Sequence, residues 1–530
     1  MSLLCFFKNI KGIFMFDFLA KDKIIADKSF NRWMVPPAAL LIHLSIGMIY
    51  GFSIFWTGLT KLIGTECSES TSFLERAFTT SCDWLRSDVV WTFAIAIVFL
   101  GLAAAIFGHW LEKAGPRKAG VAAAVFWGGG LMITSLGVSL HQLWLIWLGA
   151  GVIGGIGLGL GYISPVSTLI KWFPDRRGLA TGMAIMGFGG GAMIGMPLGD
   201  SLISTYGIAQ TFFFMGCIYL VAMIIGAFGY RVPADGWKPD GWKPEIKKAT
   251  TMISSNHVHV GVAHKTPQFW FLWGVLCLNV SAGIGVLSVA KPMFQEIAAS
   301  SFDPLIIGAV ATGFGALLSL SNILGRIFWA SSSDFLGRKL TYAIFFSLGT
   351  CLYLAAPWAG LNQYIATFVL ITLVILTMYG GGFATIPAYL ADIFGTQHVG
   401  AIHGRLLTAW STAGIIGPML ISYLREYQLS QGIPSEQAYN SSFKILAMLL
   451  VGGFILNLLI RPVNKKYFMS DSELKKEQSI AASSKEVLKT SSKTNTKLQS
   501  IILPVAWIVV LVPITLGIFN ALQKGLIIFQ

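Results

Sequence analysis

The chain has 530 residues, of which 55% are hydrophobic and only 12% charged, with a formal net charge of +14 and a mean hydropathy of +0.69. Ordinary soluble domains carry roughly 25% charged residues. The composition therefore excludes a cytosolic enzyme, a secreted disulfide scaffold and a disordered chain, and leaves a protein whose main solvent is lipid.

Residues 1–33 open with apolar MSLLCFF and IFMFDFLA, broken by Lys8, Lys11 and Asp17. No small-residue cleavage site follows, so a cytoplasmic interfacial helix is expected rather than a signal peptide. A spanning helix needs about 20 apolar residues to cross a hydrocarbon core about 30 Å thick. Six such stretches lie near 34–58, 89–108, 119–139, 143–169, 178–199 and 208–230, inside a first unit of 34–230. A polar linker, 231–267, contains the turn-rich tandem DGWKPDGWKP, whose Trp237 and Trp242 are expected at the membrane interface. His257, His259 and His264 follow in the same linker and could catch a metal adventitiously, but no cysteine set has metal-ligand spacing and no metal site is predicted. Six more stretches lie near 268–290, 304–329, 340–358, 363–389, 404–424 and 443–461, inside a second unit of 268–461. Residues 462–499 are rich in serine and lysine and read as a flexible cytoplasmic linker. The segment 500–530 holds a thirteenth span, ILPVAWIVVLVPITLGIF. The expected fold class is an all-α integral membrane protein with two six-helix bundles and an extra C-terminal helix.

Lys and Arg set the orientation. Alternate loops hold Lys113, Arg117 and Lys118, then Lys171, Arg176 and Arg177, then Arg231, Lys238, Lys243, Lys247 and Lys248. Arg338, Lys339, Arg461, Lys465 and Lys466 continue the series. These loops and the N-terminus are expected to be cytoplasmic and the C-terminus periplasmic. The net charge is thus a positive-inside signal and not a nucleic-acid footprint. The longest loop on the opposite side is acidic and contains Cys67 and Cys82, which can pair in an oxidising compartment. Cys5, Cys217, Cys277 and Cys351 read as small apolar residues.

The chain repeats itself at an offset of 222 positions: Glu112 maps to Asp334, Gly115 to Gly337, Arg117 to Lys339, Gly159 to Gly381 and Pro165 to Pro387. Two parallel halves rocking about a central site are the architecture this implies. The repeated loops GHWLEKAGPRK (108–118) and ASSSDFLGRK (330–339) resemble the short gating loops of the major facilitator superfamily. There an acid, a glycine turn and basic residues are expected to form a charge cluster, through Glu112, Gly115 and Arg117 and through Asp334, Gly337 and Arg338. Two longer stretches resemble the oxalate/formate antiporter branch: GLGLGYISPVSTLIKWFPDRRGLATGMAIMGFGGGA (157–192) and YGGGFATIPAYLADIFGTQHVGAIHGRLLTAWSTAGIIGP (379–418). The resemblance covers residues 34–461 and implies a secondary carrier for small organic anions in a bacterial inner membrane; a monomer is expected. No nucleophile–base pair or metal cluster appears in a span, so neither enzymatic activity nor a cofactor is expected. The thirteenth span resembles a small membrane subunit that accompanies some carriers of this branch, and a stabilising peripheral role is expected for it.

Ionisable residues inside a span cost about 2.5–3.5 kcal/mol on insertion scales, so each demands a reason. Of the arginines only Arg326 lies within an apolar stretch, LSLSNILGRIFW, and Asn322 and Ser319 share its helix face. A guanidinium fork fits a carboxylate bidentately, so a substrate carboxylate is the expected partner. Snorkelling toward Asp334 and pairing with Asp392 are the alternatives. In the branch this helix-8 position binds the substrate carboxylate. A second cation of the oxalate carrier, a lysine on helix 11, corresponds to Trp410 here. The acid and the helix-1 lysine of mammalian-type monocarboxylate carriers correspond to Asn322 and Ile54. One cation favours a monocarboxylate over a dicarboxylate. Tyr50, Phe52, Phe55 and Trp56 on the first span, Tyr162 on the fourth and Tyr379 on the tenth are candidate walls. Of these Tyr50, Tyr162 and Tyr379, with Trp410, are the expected substrate contacts. His43 reads as a hydrogen-bonded packing residue or a proton relay. Lys291 reads as an anion-attracting or interfacial lysine at the outer mouth, and the Gly187–Pro197 run as packing and bending. The expected function is carboxylate transport by alternating access, with anion exchange favoured because a loaded site is neutral. A proton-coupled monocarboxylate symporter, a lipophilic drug exporter and a non-transporting anion sensor are the alternatives.

Overall fold

Apolar runs of this length in lipid must satisfy their backbone groups internally, which selects helices. The computed structural model describes residues 17–529 apart from 28, 69–70, 176, 235–236, 240, 242–255, 396–397, 471 and 475–495. The opening apolar segment up to residue 16 with Cys5, the linker residue Trp242 and most of the serine- and lysine-rich tail lie outside the described residues.

The long helices are α1 (Val35–Ile46), α2 (Arg86–Ala114), α3 (Pro116–Ser139), α4 (Gly154–Trp172), α5 (Arg177–Tyr206) and α6 (Ile208–Gly229) in the first half. The second half contributes α7 (Pro267–Ser288), α8 (Ile307–Leu336), α9 (Arg338–Leu361), α10 (Ile365–Phe394), α11 (Thr408–Ser430) and α12 (Asn440–Leu459). A further C-terminal helix, α13, spans Thr496–Leu526. Among the described residues, 12 helical segments are long and apolar enough to cross a membrane, α13 included, and α5 is a further helix of 30 residues. The fold is all-α, with two six-helix bundles that meet along α2 and α11 and along α5 and α8. Two spans are less regular than the sequence suggests. After α1 the chain passes through a 3-10 stretch, Gly47–Gly51, before the helix Ser53–Leu59. A π-helical stretch, Trp147–Ile153, precedes α4.

Glycines set the tightest crossings. A Cβ on Gly191 would lie 2.5 Å from both Gly47 Cα and Leu44 O, so α1 and α5 touch backbone to backbone. The turns between α2 and α3 and between α8 and α9 each need a left-handed residue, supplied by Gly115 (φ 89°) and Gly337 (φ 84°), which are repeat partners.

The charge cluster expected at these turns takes different forms. Arg117 donates to the carbonyls of Phe18, Phe228 and Tyr230, so it caps the C-terminal end of α6. Its repeat partner Lys339 does the same for α12, donating to the carbonyls of Leu458 and Ile460 at 2.8 Å each. In the first repeat, then, Arg117 completes a helix end by donating to carbonyls that the helix leaves unpaired. The side chain of Glu112 lies outside the described residues. In the second repeat Arg338 pairs with Asp334 and bonds Ser333, and it lies 3.6 Å from Asp392. Trp237 packs edge-on against Trp172 with centroids 4.9 Å apart and is half-buried. Cys67 and Cys82 form a disulfide with Cα atoms 4.9 Å apart.

Helix α13 begins beside the start of α1, where the Asn31 amide donates to Gln499 Oε1 at 2.8 Å. It then lies against α5 and α8. Ala521 packs with Met193, Ala316 and Leu317 in a small cluster separate from the main core. Only 11% of its most apolar window is buried, which places it on the periphery. Deleting residues 496–530 is expected to leave both bundles folded, with a melting midpoint in detergent lower by a few degrees, because little apolar area is uncovered. A collapse of monodisperse protein on size exclusion would contradict this.

Candidate functional site

Arg326 lies just past the middle of α8 and is 1% exposed. Its Nε donates to Asn322 Oδ1 at 2.9 Å, one helical turn back, and its Nη1 donates to the carbonyl of Ile185 on α5 at 3.0 Å. Its guanidinium carbon sits 5.6 Å from the centroid of the Phe383 ring. None of its described partners is an acid. The side chain turns toward the other half, away from Asp334, so neither snorkelling nor an Asp392 pair describes it. Gly189 makes room for this: a Cβ there would lie 3.0 Å from Arg326 Nε and 3.2 Å from Asn322 Oδ1.

Six rings close a circuit beside the guanidinium. Centroid separations run Phe383–Trp410 4.6 Å, Trp410–Tyr162 5.4 Å, Tyr162–Phe188 5.7 Å, Phe188–Tyr50 5.0 Å, Tyr50–Tyr379 5.9 Å and Tyr379–Phe383 5.4 Å. Three of these residues come from each half. The Tyr379 hydroxyl donates to Tyr50 at 2.7 Å, which joins α10 to the first span. Three buried donors at the site have no protein partner: Asn322 Nδ2, the Tyr162 hydroxyl and Trp410 Nε1. Buried polar groups are nearly always satisfied, and each one left unmade costs about 1–3 kcal/mol. A guanidinium with unpartnered buried donors and aromatic rings around it has the chemistry to hold a small anion bearing further acceptor oxygens.

The structure thus brings Arg326, Asn322, Tyr50, Tyr162, Tyr379 and Trp410 together. Phe188 and Phe383 complete the circuit and were missed. Phe383 follows Tyr379 by four residues and so shares its face, which is a usable signal; Phe188 is hidden in the glycine run. Phe52, Phe55 and Trp56 point elsewhere: Phe52 and Phe55 pack on Phe212, while Trp56 Nε1 donates to Ser288 O at 2.6 Å. His43 stacks on Tyr162, with Nε2 3.2 Å from the Tyr162 carbonyl oxygen, as a packing histidine does.

The described ion pairs between halves lie at the end that carries the disulfide loop. Lys291 Nζ is 2.5 Å from Asp200 Oδ1, whose other oxygen accepts from Thr312. Lys291 is therefore a cross-half tie, neither an anion attractor nor a plain interfacial lysine. Arg86 Nη1 meets Glu296 Oε1 at 2.7 Å, Arg425 grips the same carboxylate with Nε and Nη2 at 2.8 Å each, and Tyr439 donates to it at 2.8 Å. The Ser87 amide donates to Glu426 at 2.7 Å. Glu296 and Glu426 were not singled out in the sequence, since their pairing is visible only when distant segments meet.

A polar centre shared by two six-helix bundles, with a sealed end, defines a multi-pass membrane transporter of the two-bundle class. The family model for the Major Facilitator Superfamily matches residues 29–418 and 280–529, and the chain belongs to that superfamily. It is 25% identical over 456 residues to an oxalate:formate antiporter of Oxalobacter formigenes, covering 84% of this chain and 96% of the relative. It is 24% identical over 447 residues to apicoplast pyruvate carrier 1 of Toxoplasma gondii, covering 69% and 78%. Among solved structures, a bacterial homologue of the lysosomal transporter Spinster, inward-facing and unoccupied, superposes with a TM-score of 0.54 at 14% identity, covering 82% of this chain and 96% of that one. That likeness establishes the fold alone.

Proposed function

We propose that the protein is a secondary transporter that exchanges small carboxylates across a bacterial inner membrane by alternating access. The observation that carries this is Arg326: a buried guanidinium between the halves, bonded to neutral acceptors and flanked by three unpartnered donors. One carboxylate oxygen pair suits the guanidinium and Asn322 Nδ2. A neighbouring carbonyl or hydroxyl oxygen suits Trp410 Nε1 and the Tyr162 hydroxyl. This arrangement favours a monocarboxylate with a second, neutral oxygen over a dicarboxylate, because Trp410 offers a donor without a charge. Relatives that carry oxalate, formate or pyruvate by name agree with the chemical class. With the basic loops cytoplasmic, the sealed end faces the periplasm and the C-terminus lies there too.

The test is uptake of labelled oxalate, formate, lactate and pyruvate into proteoliposomes, with and without internal anion and with and without a pH gradient. Uptake that requires internal anion is the expected result. Uptake driven by a pH gradient alone, with no internal anion, would replace exchange by proton symport.

A further inference from the structure

Helix α5 runs through its glycine-rich stretch in direct contact with α8. One hydroxyl of the second half stands within its backbone ladder. Ser319 Oγ donates to the Gly189 carbonyl at 2.6 Å and accepts from the Met193 amide at 3.1 Å. Gly189 O and Met193 N–H are the i and i+4 groups that an α-helix pairs with each other. A side chain inserted at such a pair is a recognised source of helix bending. One turn earlier on α5, the Ile185 carbonyl accepts from Arg326 Nη1 at 3.0 Å. Ser319 and Arg326 are seven residues apart on α8, and Gly189 and Ile185 are four apart on α5, so the two contacts form successive rungs along one seam. Ser319 is 1% exposed and Arg326 equally so, which keeps water from substituting for either bond.

We propose that Ser319 is a positioning residue for transport: with Arg326 it forms a two-rung latch from α8 onto the backbone of α5, and an incoming carboxylate opens the arginine rung. The inference rests on the reading of Arg326 as the carboxylate site. A carboxylate competes for the guanidinium with a neutral carbonyl, and it brings an opposite full charge and two oxygens that match the planar fork. The empty carrier keeps both rungs and resists rocking. The loaded carrier keeps only the serine rung, at a glycine-rich point of α5 that bends readily. Exchange then outruns leak because the unloaded protein is the one that is held.

The experiment uses the full chain in proteoliposomes with labelled pyruvate, and labelled oxalate in parallel. Exchange against internal anion is compared with net uptake into anion-free vesicles. Ser319→Ala is expected to raise the ratio of net uptake to exchange by about fivefold or more, the effect of losing a hydrogen bond of ordinary strength. Ser319→Thr, which keeps the hydroxyl, is expected to restore the wild-type ratio. Should Ser319→Ala fail to reach the membrane, Ser319→Cys, a far weaker donor, carries the same expectation. An unchanged ratio, or an equal loss of both fluxes, would overturn the latch and leave the carboxylate site standing. A wild-type protein that exchanges neither anion would overturn the reading of the site itself.

Discussion

Arg326→Ala is expected to abolish carboxylate exchange while leaving the protein folded. Removing one side of a buried charge-assisted pair costs about 2–5 kcal/mol, so kcat/KM for exchange should fall about 30- to 5,000-fold. Stability should follow the opposite logic. A cation 1% exposed in a membrane helix, with no acid among its described partners, is expensive to hold, and its removal takes a donor only from the Asn322 side-chain oxygen and the Ile185 carbonyl. The melting midpoint should therefore hold or rise. Arg326→Lys should recover little activity, because a point charge on a flexible stem cannot reproduce a planar fork that spans Asn322 and the incoming carboxylate. Flux assays and thermal melts on the same purified protein check both halves of the expectation. A variant that transports normally would remove the carboxylate reading and favour a carrier of uncharged, lipophilic molecules.

The second large effect is expected at the sealed end. Glu296 sits on the short helix Ala290–Ile297 and accepts four hydrogen bonds, from Arg86, twice from Arg425, and from Tyr439. Glu296→Ala removes the carboxylate that both guanidiniums bond. Breaking a buried pair in this way costs about 3–5 kcal/mol. The side chains keep 12–15% exposure, so water enters and the lower part of that range applies. The detergent-solubilised variant should melt at a clearly lower temperature, with Glu296→Gln between it and the wild type. A pH dependence follows. Burial raises the carboxyl's affinity for a proton, but Arg86 and Arg425 outweigh it and hold Glu296 below its ordinary value of 4.5. A depressed carboxylate contributes stability that is complete above its unfolded value and lost as pH falls through the folded one. The Glu296 contribution should be full at neutral pH and disappear only in the acid range, and the melting difference between wild type and Glu296→Gln should shrink there. A difference that persists unchanged at acid pH would show that the carboxylate charge is not what seals this end.

The two-half plan and the core of the site were legible because membrane helices obey one-dimensional rules. A span is a length of apolar sequence, a repeat is an offset, and an intramembrane cation is conspicuous by its cost. Arg326, Asn322, Tyr162 and Trp410 could be named on those grounds together with the family resemblance. Phe188 could not be, since a phenylalanine among glycines carries no mark of the face it presents. The partners of Arg117 and Lys291 were not legible for a related reason. A basic residue beside a turn or a mouth looks like a free charge until the helix end or the acid from another segment is placed against it.

Sequence alone determined which stretches lie in lipid, how many halves there are, and that one guanidinium stands where lipid would not tolerate it, because burial cost and periodicity are properties of each segment taken singly. Only the tertiary structure decided that Arg326 reaches across to the Ile185 carbonyl, that Ser319 enters the backbone of α5, and that Glu296 gathers Arg86 and Arg425 from different helices. Those bonds join residues more than a hundred positions apart. Hydrogen bonds are set by ångström-scale distance and angle, quantities that exist only once the two bundles have been packed together.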